Sequence, residues 1–234
     1  MKKKIITGWG RNTVNKCNFF TPSRINFMKR FVNKKKIIVR GLGRSYGDSS
    51  VQPECTINLK KFNKIILLNR KLGIIKVQPG ISLKELLEYI IPKGWFIPVS
   101  PGTKYVTLGG MVASNVHGKN QHIDGNLINY IHKIKLKTLK NKTITITKNN
   151  NKDLFLATCG GMGLTGAIIE IEIKLLRIMS SKIAQNSYFF DNLKLLILKI
   201  RQCKDFYSVA WIDVFSFKEK KLNSILYTGK HISL

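Results

Sequence analysis

Two arginines, three serines and three glycines crowd into residues 40–50, Arg40-Gly-Leu-Gly-Arg-Ser-Tyr-Gly-Asp-Ser-Ser50. Glycine lets successive backbone N–H groups turn to one side without a Cβ in the way, and such a concave row of amides is an anion site. Arg40 and Arg44 add charge, and Ser45, Ser49 and Ser50 add hydroxyl donors. The chemistry implied is the holding of a phosphate or pyrophosphate against backbone. A second dense stretch spans 95–120, where Gly109-Gly110 opens a run of small residues on which a planar ligand can lie. His117 and Lys119 follow at once, and an imidazole titrates where proton transfer near neutrality needs it. His122, His132 and His231 have no comparable setting in the sequence.

The first loop is not a dinucleotide fingerprint. Gly-x-Gly-x-x-Gly requires its third glycine one residue before Gly47, and a helix must follow. Pro53 stops any helix begun at Asp48, and no Gly-Lys-Ser/Thr is present for a Walker loop. Clustered glycines more often mean a simple turn, but arginines and serines inside the turn favour the phosphate reading. Gly161-Met-Gly-Leu-Thr-Gly166 does match the fingerprint to the letter. Its context is inverted: residues 153–159 read as a short helix capped by Asp153, and 167–175 alternate Ile and charged residues at strand period. A helix–turn–strand offers no helix N-terminus to a pyrophosphate, so this is a tight turn where backbone approaches a flat ligand or another strand.

These sites need elements to position them. The sequence predicts strands over 35–40 and 56–59, and a strand pair 64–69 and 73–78 that ends at Pro79-Gly80. Ser82-Leu-Lys-Glu85 is a capping box, followed by a helix with Leu83, Leu86, Leu87, Ile90 and Ile91 on one face, stopped by Pro92 and Gly94. Pro98, Pro101 and Gly102 exclude regular structure in 95–120, and a hairpin of 133–139 and 143–147 follows. From Ile178 the pattern reads strand–helix–strand, over Ser187–Phe190, residues 191–203 and Tyr207–Asp213. The fold class is α+β.

The 234 residues suit one large domain and part of another, and 44% hydrophobic content supports a real core. A net charge of +29, with 41 Lys+Arg against 12 Asp+Glu, would suit a nucleic-acid or anionic-membrane surface. Yet the lysines are scattered, and only Lys2–Lys4 and Lys34–Lys36 form runs. Joint abundance of Lys, Asn and Ile fits codon bias better, and no nucleic-acid-binding motif is present. Cys17, Cys55, Cys159 and Cys203 lie far apart and read as thiols of a reducing compartment. No metal-ligand cluster is expected. Residues 1–11 are basic without an apolar stretch, so neither a signal peptide nor a membrane span is expected, and the protein is expected in the cytoplasm.

Six motifs occur in register: Gly8-Trp-Gly-Arg11, Gly41-Leu-Gly-Arg-Ser-Tyr-Gly-Asp48, Pro101-Gly-Thr103, Val106-Thr-Leu-Gly-Gly110, Val116-His-Gly-Lys-Asn120 and Gly160-Gly-Met-Gly-Leu-Thr-Gly166. Together they resemble the FAD-binding half of the vanillyl-alcohol-oxidase-type flavoproteins, in particular the decaprenylphosphoryl-β-D-ribose 2′-epimerase flavoprotein-subunit-like oxidoreductases. The resemblance implies a PCMH-type FAD-binding domain of two α/β subdomains over 7–177, followed over 178–234 by the start of a truncated α+β substrate domain. It implies FAD contacts from Arg40, Gly41, Leu42, Gly43, Arg44, Ser45, Tyr46, Gly47 and Asp48 at the pyrophosphate, and from Gly102, Thr107, Leu108, Gly109 and Gly110. Ser114, Asn115, Val116 and His117 would run along the flavin, and Ile168 would approach the adenine.

The implied reaction oxidises a secondary sugar alcohol to a ketone. His117 and Lys119 would be catalytic, and Tyr46, Lys119 and Trp211 would bind the sugar. Several members attach FAD through a histidine of the pyrophosphate loop; Tyr46 stands there, so dissociable FAD is expected. The implied substrate is a polyprenyl-phosphate-linked pentose oxidised at the 2′ position, with an aldonolactone or alditol oxidase as the alternative and a non-catalytic FAD-binding subunit as another. Implied partners are the lipid-linked sugar, a reductase that completes epimerisation and a peripheral membrane contact. The family's substrate domain runs past this length and returns with further active-site residues, a lysine among them, so a fragment, a split gene product or a decayed enzyme is expected.

Overall fold

The computed structural model describes residues 2–31, 36–216 and 222–232; Lys34 and Lys35 of the basic run, the second of them also the first residue of the expected strand 35–40, lie outside the described residues. The chain opens with an antiparallel hairpin of β1 (Lys2–Thr7) and β2 (Val14–Phe20). Two short strands, β3 (Ile38–Arg40) and β4 (Thr56–Asn58), complete a sheet of order β1-β2-β4-β3, with β4 parallel to both neighbours. The hairpin was not legible in the sequence. Residues 2–5 are all exposed, so β1 carries no inside–outside alternation. A small core of Phe27, Met28, Phe31, Ile57, Leu59 and Phe62 backs this sheet.

The next unit contains β5 (Ile65–Asn69), β6 (Ile74–Val77), α1 (Leu83–Ile90), β7 (Trp95–Phe96), α2 (Leu108–Ala113), α3 (Gln121–Asp124), β8 (Ile131–Lys137), β9 (Thr143–Ile146), α4 (Lys152–Thr158), β10 (Ala167–Lys174) and β11 (Leu176–Arg177). An antiparallel sheet of order β5-β6-β10-β8-β9 is its frame, and β11 pairs with β7. The capping box of α1 is present in both directions: Glu85 N donates to Ser82 Oγ at 3.1 Å and Ser82 N to Glu85 Oε2 at 2.7 Å. Leu83, Leu86 and Ile90 are buried beneath the helix, while Leu87 and Ile91 are half-buried.

One strand joins the two cores. Ile168, Ile171 and Ile173 of β10 enter the large core, and Ala167 and Ile169 enter the small one. The pleat sends Ile168 and Ile169 to different cores, and a bulge between Ile168 and Glu170 shifts the alternation so that Ile168 and Ile171, three apart, both face the large one. On the opposite face Glu172 bridges Lys76 (2.9 Å) and Lys133 (3.3 Å), and Glu170 bridges Lys135 (3.0 Å).

Two expectations are corrected. The N-cap of α4 is Asn151, whose φ of 54° is left-handed; among the described residues no side chain caps the helix, and Asp153 lies inside the first turn. Stretch 95–120 does contain a helix, α2, despite Gly109-Gly110. Its first donors find partners: Leu108 N donates to Ile81 O (2.9 Å), Gly109 N to Pro79 O (2.8 Å) and Gly110 N to Thr107 Oγ1 (3.2 Å). Those contacts outweigh the poor helix propensity of glycine.

Beyond residue 178 come β12 (Ile183–Phe190), α5 (Leu193–Gln202), β13 (Tyr207–Ile212) and β14 (Ser224–His231). The strand–helix–strand reading is right but incomplete, because β14 lies between β12 and β13 and supplies both ladders. This sheet is tied to the rest by Ser208 N donating to Lys119 O (2.8 Å) and by the His122 ring against Asp205 O (3.2 Å). His231 has more of a setting than its sequence context suggests. Its Nδ1 donates to Ser180 O (3.0 Å), so Nε2 accepts from Tyr207 OH (3.1 Å), and its ring meets Phe96 edge-on at 5.3 Å.

Burial first, then the charge of Asp124, pushes the Tyr207 hydroxyl up to about 12 from an ordinary value of 10.0. The folded state therefore favours the neutral phenol. That contribution is complete below about pH 10 and is lost as pH rises toward about 12. Thermal melts across this window are expected to show the loss in the wild type and a smaller loss in Tyr207→Phe, with the near-ultraviolet phenolate absorbance reporting the titration.

Candidate functional site

A cleft opens between the two larger sheets. Val39, Arg40, Gly41 and Leu59 line one side; Pro79, Gly80, Thr107, Gly109, Gly110, Ala113, Met162, Gly163, Gly166 and Ile168 line the rest. Six of these fourteen residues are glycine, so much of the wall is bare backbone, and Val39, Leu59, Pro79, Ala113, Met162 and Ile168 make its apolar part. Of the site residues expected from the sequence, Arg40, Gly41, Thr107, Gly109, Gly110 and Ile168 meet here. The 160–166 turn, expected to let backbone approach a flat ligand or a strand, does approach a strand, since a Cβ on Gly166 would lie 2.8 Å from Lys137 O, and its Gly163 lines the cleft. Pro79-Gly80 and Ala113 were missed. Their only sequence signal is the end of a strand and a run of small residues.

The loop that leaves the cleft at Gly41 is held from behind. Arg40 does not offer its guanidinium to the cleft as a loose cation. Nη2 donates to Thr7 O (2.8 Å), Nη1 to Ser50 Oγ (3.1 Å), and burial holds its pKa below the ordinary value. Gly43 has φ +65° and its missing Cβ would fall 1.9 Å from Arg40 Nη2. Leu42 is half-buried, Ser45 Oγ pairs with Ser50 Oγ at 3.2 Å, and the Asp48 carbonyl accepts from Val51 N. Arg44 and Tyr46 are exposed, the Arg44 guanidinium lying 4.7 Å over the Trp9 ring.

Gly47 and Gly102 are informative for a different reason. Among the described residues a Cβ at either meets nothing within 4 Å, and neither has a left-handed φ, so the described residues do not require glycine there. A bound group passing close to the backbone would. A bare-walled slot beside a serine- and arginine-bearing loop suits a long, flat ligand with an anionic middle.

The remaining expected residues divide. Leu108 is fully buried in the large core and does not line the cleft. Ser114 caps the C-terminus of α2; Asn115, at φ 40°, accepts from Ile128 N through Oδ1 (3.0 Å); Val116 packs on the large core. His117 and Lys119 are exposed on the segment that follows, with His117 bridged to Asn126. Trp211 is not brought to this cleft. It is 57% exposed and lines a separate cavity on the third sheet with Phe189, Leu195 and Ile225.

Comparison with known proteins agrees with the geometry. A family model described as an FAD binding domain matches residues 25–147. A decaprenylphosphoryl-β-D-ribose oxidase of Mycolicibacterium smegmatis is 33% identical over 180 residues, covering 74% of this chain and 39% of that protein. A mitochondrial L-galactono-1,4-lactone dehydrogenase of Brassica oleracea is 26% identical, covering 72% and 29%. A D-lactate dehydrogenase of Anaerostipes hadrus is 24% identical, covering 87% and 44%. The chain thus spans less than half the length of each. The matched region carries both the phosphate-type loop and α2, two walls of the glycine-lined cleft, and the chain belongs to the family of the FAD binding domain, with FAD as its cofactor.

Proposed function

We propose that this chain holds FAD without a covalent bond and serves the oxidation of a secondary alcohol on a polyprenyl-phosphate-linked pentose at the 2′ position. The observation that carries the reading is the cleft itself, with backbone for walls and the serine- and arginine-bearing loop at its mouth. Residues 7–177 form the cofactor domain and 178–234 the start of the substrate domain. Loop 40–48 takes the pyrophosphate: Arg44 supplies charge, and Arg40 fixes the loop's shape. Thr107 to Gly110, with Gly102, Ser114, Asn115 and Val116, line the flavin's path, and Ile168 takes the adenine side.

FAD, when bound, supplies a hydride acceptor for alcohol oxidation. The chain's own groups do the rest. His117, exposed next to the small-residue run, takes or holds the hydroxyl proton, and Lys119 orients the sugar and its phosphate by charge. Tyr46 offers an exposed aromatic face to a sugar ring. The lipid-linked substrate brings the protein to a membrane surface from the cytoplasm, and a reductase partner returns the ketone to an epimeric alcohol. Among the described residues no helix is long and apolar enough to cross a membrane.

Purified protein is expected to be yellow and to release its flavin into the supernatant on acid precipitation. A colourless protein that FAD cannot reconstitute would overturn the reading; flavin that stays with the pellet would overturn the dissociable attachment. The lactone dehydrogenase relative supports a second reading, an aldonolactone or alditol oxidase. Rapid reoxidation of the reduced flavin in air, with turnover of a free sugar lactone, would favour it.

A further inference from the structure

The motif Gly8-Trp-Gly-Arg11 has no part in the cleft, and the hairpin that carries it precedes residues 25–147, where the family model matches. Its turn is nonetheless seated on the phosphate-type loop. Trp9 N donates to Ser45 O (2.7 Å) and Gly10 N to Tyr46 O (3.2 Å). The approach is possible only for glycine: a Cβ on Gly8 would lie 2.1 Å from Gly47 O, and one on Gly10 would lie 2.5 Å from Tyr46 O. Two side-chain ties flank these bonds, Arg40 Nη2 to Thr7 O (2.8 Å) and Arg44 over the Trp9 ring (4.7 Å).

The consequence follows from peptide geometry. In a planar trans peptide the C=O of one residue and the N–H of the next point in opposite directions. With the carbonyls of Ser45 and Tyr46 directed at the hairpin, the amides of Tyr46 and Gly47 are directed away from it, side by side. Two adjacent amides facing one way make an anion site, and two carbonyls occupied elsewhere no longer repel the anion. Gly47, with open space where its Cβ would be, leaves the approach to that face clear.

We infer that the β1–β2 hairpin is a positioning element of the cofactor site, a strap whose Gly8–Arg11 turn orients the Tyr46 and Gly47 amides toward the FAD pyrophosphate. The inference rests on the reading of loop 40–48 given above. It makes Gly8 and Gly10 positioning residues, and it couples docking of the hairpin to cofactor binding: FAD holds the strap down, and a lifted strap loosens FAD.

The test uses the full chain and two readouts. FAD titration by flavin fluorescence is expected to show at least tenfold weaker binding in Gly8→Ala, with unchanged far-ultraviolet circular dichroism. Limited trypsin digestion of the wild type is expected to cut after Arg11 and Lys16 several-fold more slowly when FAD is added, and Gly8→Ala is expected to lose that protection. If Gly8→Ala does not fold, the wild-type digestion alone decides. Wild type that binds FAD while Gly8→Ala binds within twofold, or wild-type cleavage unchanged by FAD, overturns the strap and leaves the cofactor site standing. Wild type that binds no FAD at all overturns the site reading and the strap with it.

Discussion

Gly43→Val is expected to abolish flavin uptake while leaving the larger sheets folded. Gly43 has φ +65°, a region that costs an L-residue about 1–2 kcal/mol and a β-branched one more. The added Cβ would also lie 1.9 Å from Arg40 Nη2 and 2.4 Å from its Cζ. Arg40 cannot yield cheaply, because its guanidinium holds Thr7 O and Ser50 together. Its displacement releases the hairpin and the far end of the loop in one step. Gel filtration after incubation with FAD should leave the variant colourless, with circular dichroism close to wild type. Gly47→Ala separates ligand contact from loop shape. Its Cβ meets no protein atom within 4 Å, so any loss of affinity there reports the bound group alone. Full flavin retention in Gly43→Val would show that the loop does not shape the site.

Sequence legibility followed locality. The capping box of α1 and the alternation of β10 are written in neighbouring residues, and both are present, the alternation interrupted at Ile169 by a bulge that the sequence does not show. The phosphate-type loop was legible from composition, but the task of Arg40 was not. Charge suggested an anion ligand, whereas the guanidinium is taken up by Ser50 of the same loop and by Thr7, on a strand 33 residues earlier. Helix α2 failed for the same reason, since Ile81 and Pro79 supply its acceptors from outside the segment. Strand β14 is central to the third sheet, yet it carries the interleaved polar residues Ser224, Thr228 and Lys230 that blur its period. The cleft itself was half legible. Gly163 and Gly166 were flagged by the 160–166 motif, while Gly80 became a wall only through the approach of two sheets.

Asp124→Ala is expected to cost about 3 kcal/mol of stability, from two donors left without an acceptor at about 1–3 kcal/mol each. Asp124 Oδ2 accepts from Asn120 Nδ2 and Oδ1 from Tyr130 OH, both at 2.5 Å. Asn120 is 1% exposed, and its amide also donates to Pro98 O at 2.7 Å, so water cannot easily replace the lost partner. Burial first, then the bond to Asp124, holds the Tyr130 hydroxyl above its ordinary pKa. Asp124→Asn keeps one acceptor oxygen and should lose about half as much; urea unfolding of the three proteins gives the comparison. The functional consequence is local. Asn120 closes the segment that presents His117 and Lys119, and the Lys119 carbonyl carries the bond from Ser208 of the third sheet. No atom of Asp124 lines the glycine-walled cleft, so FAD affinity should stay within a few-fold of wild type where Gly43→Val eliminates it. A second readout follows from Tyr207, whose hydroxyl is raised partly by the Asp124 charge; in either variant its titration should shift down from about 12. Wild-type stability in Asp124→Ala, with Tyr207 unmoved, would show that the carboxylate does not join the His117–Lys119 segment to the third sheet.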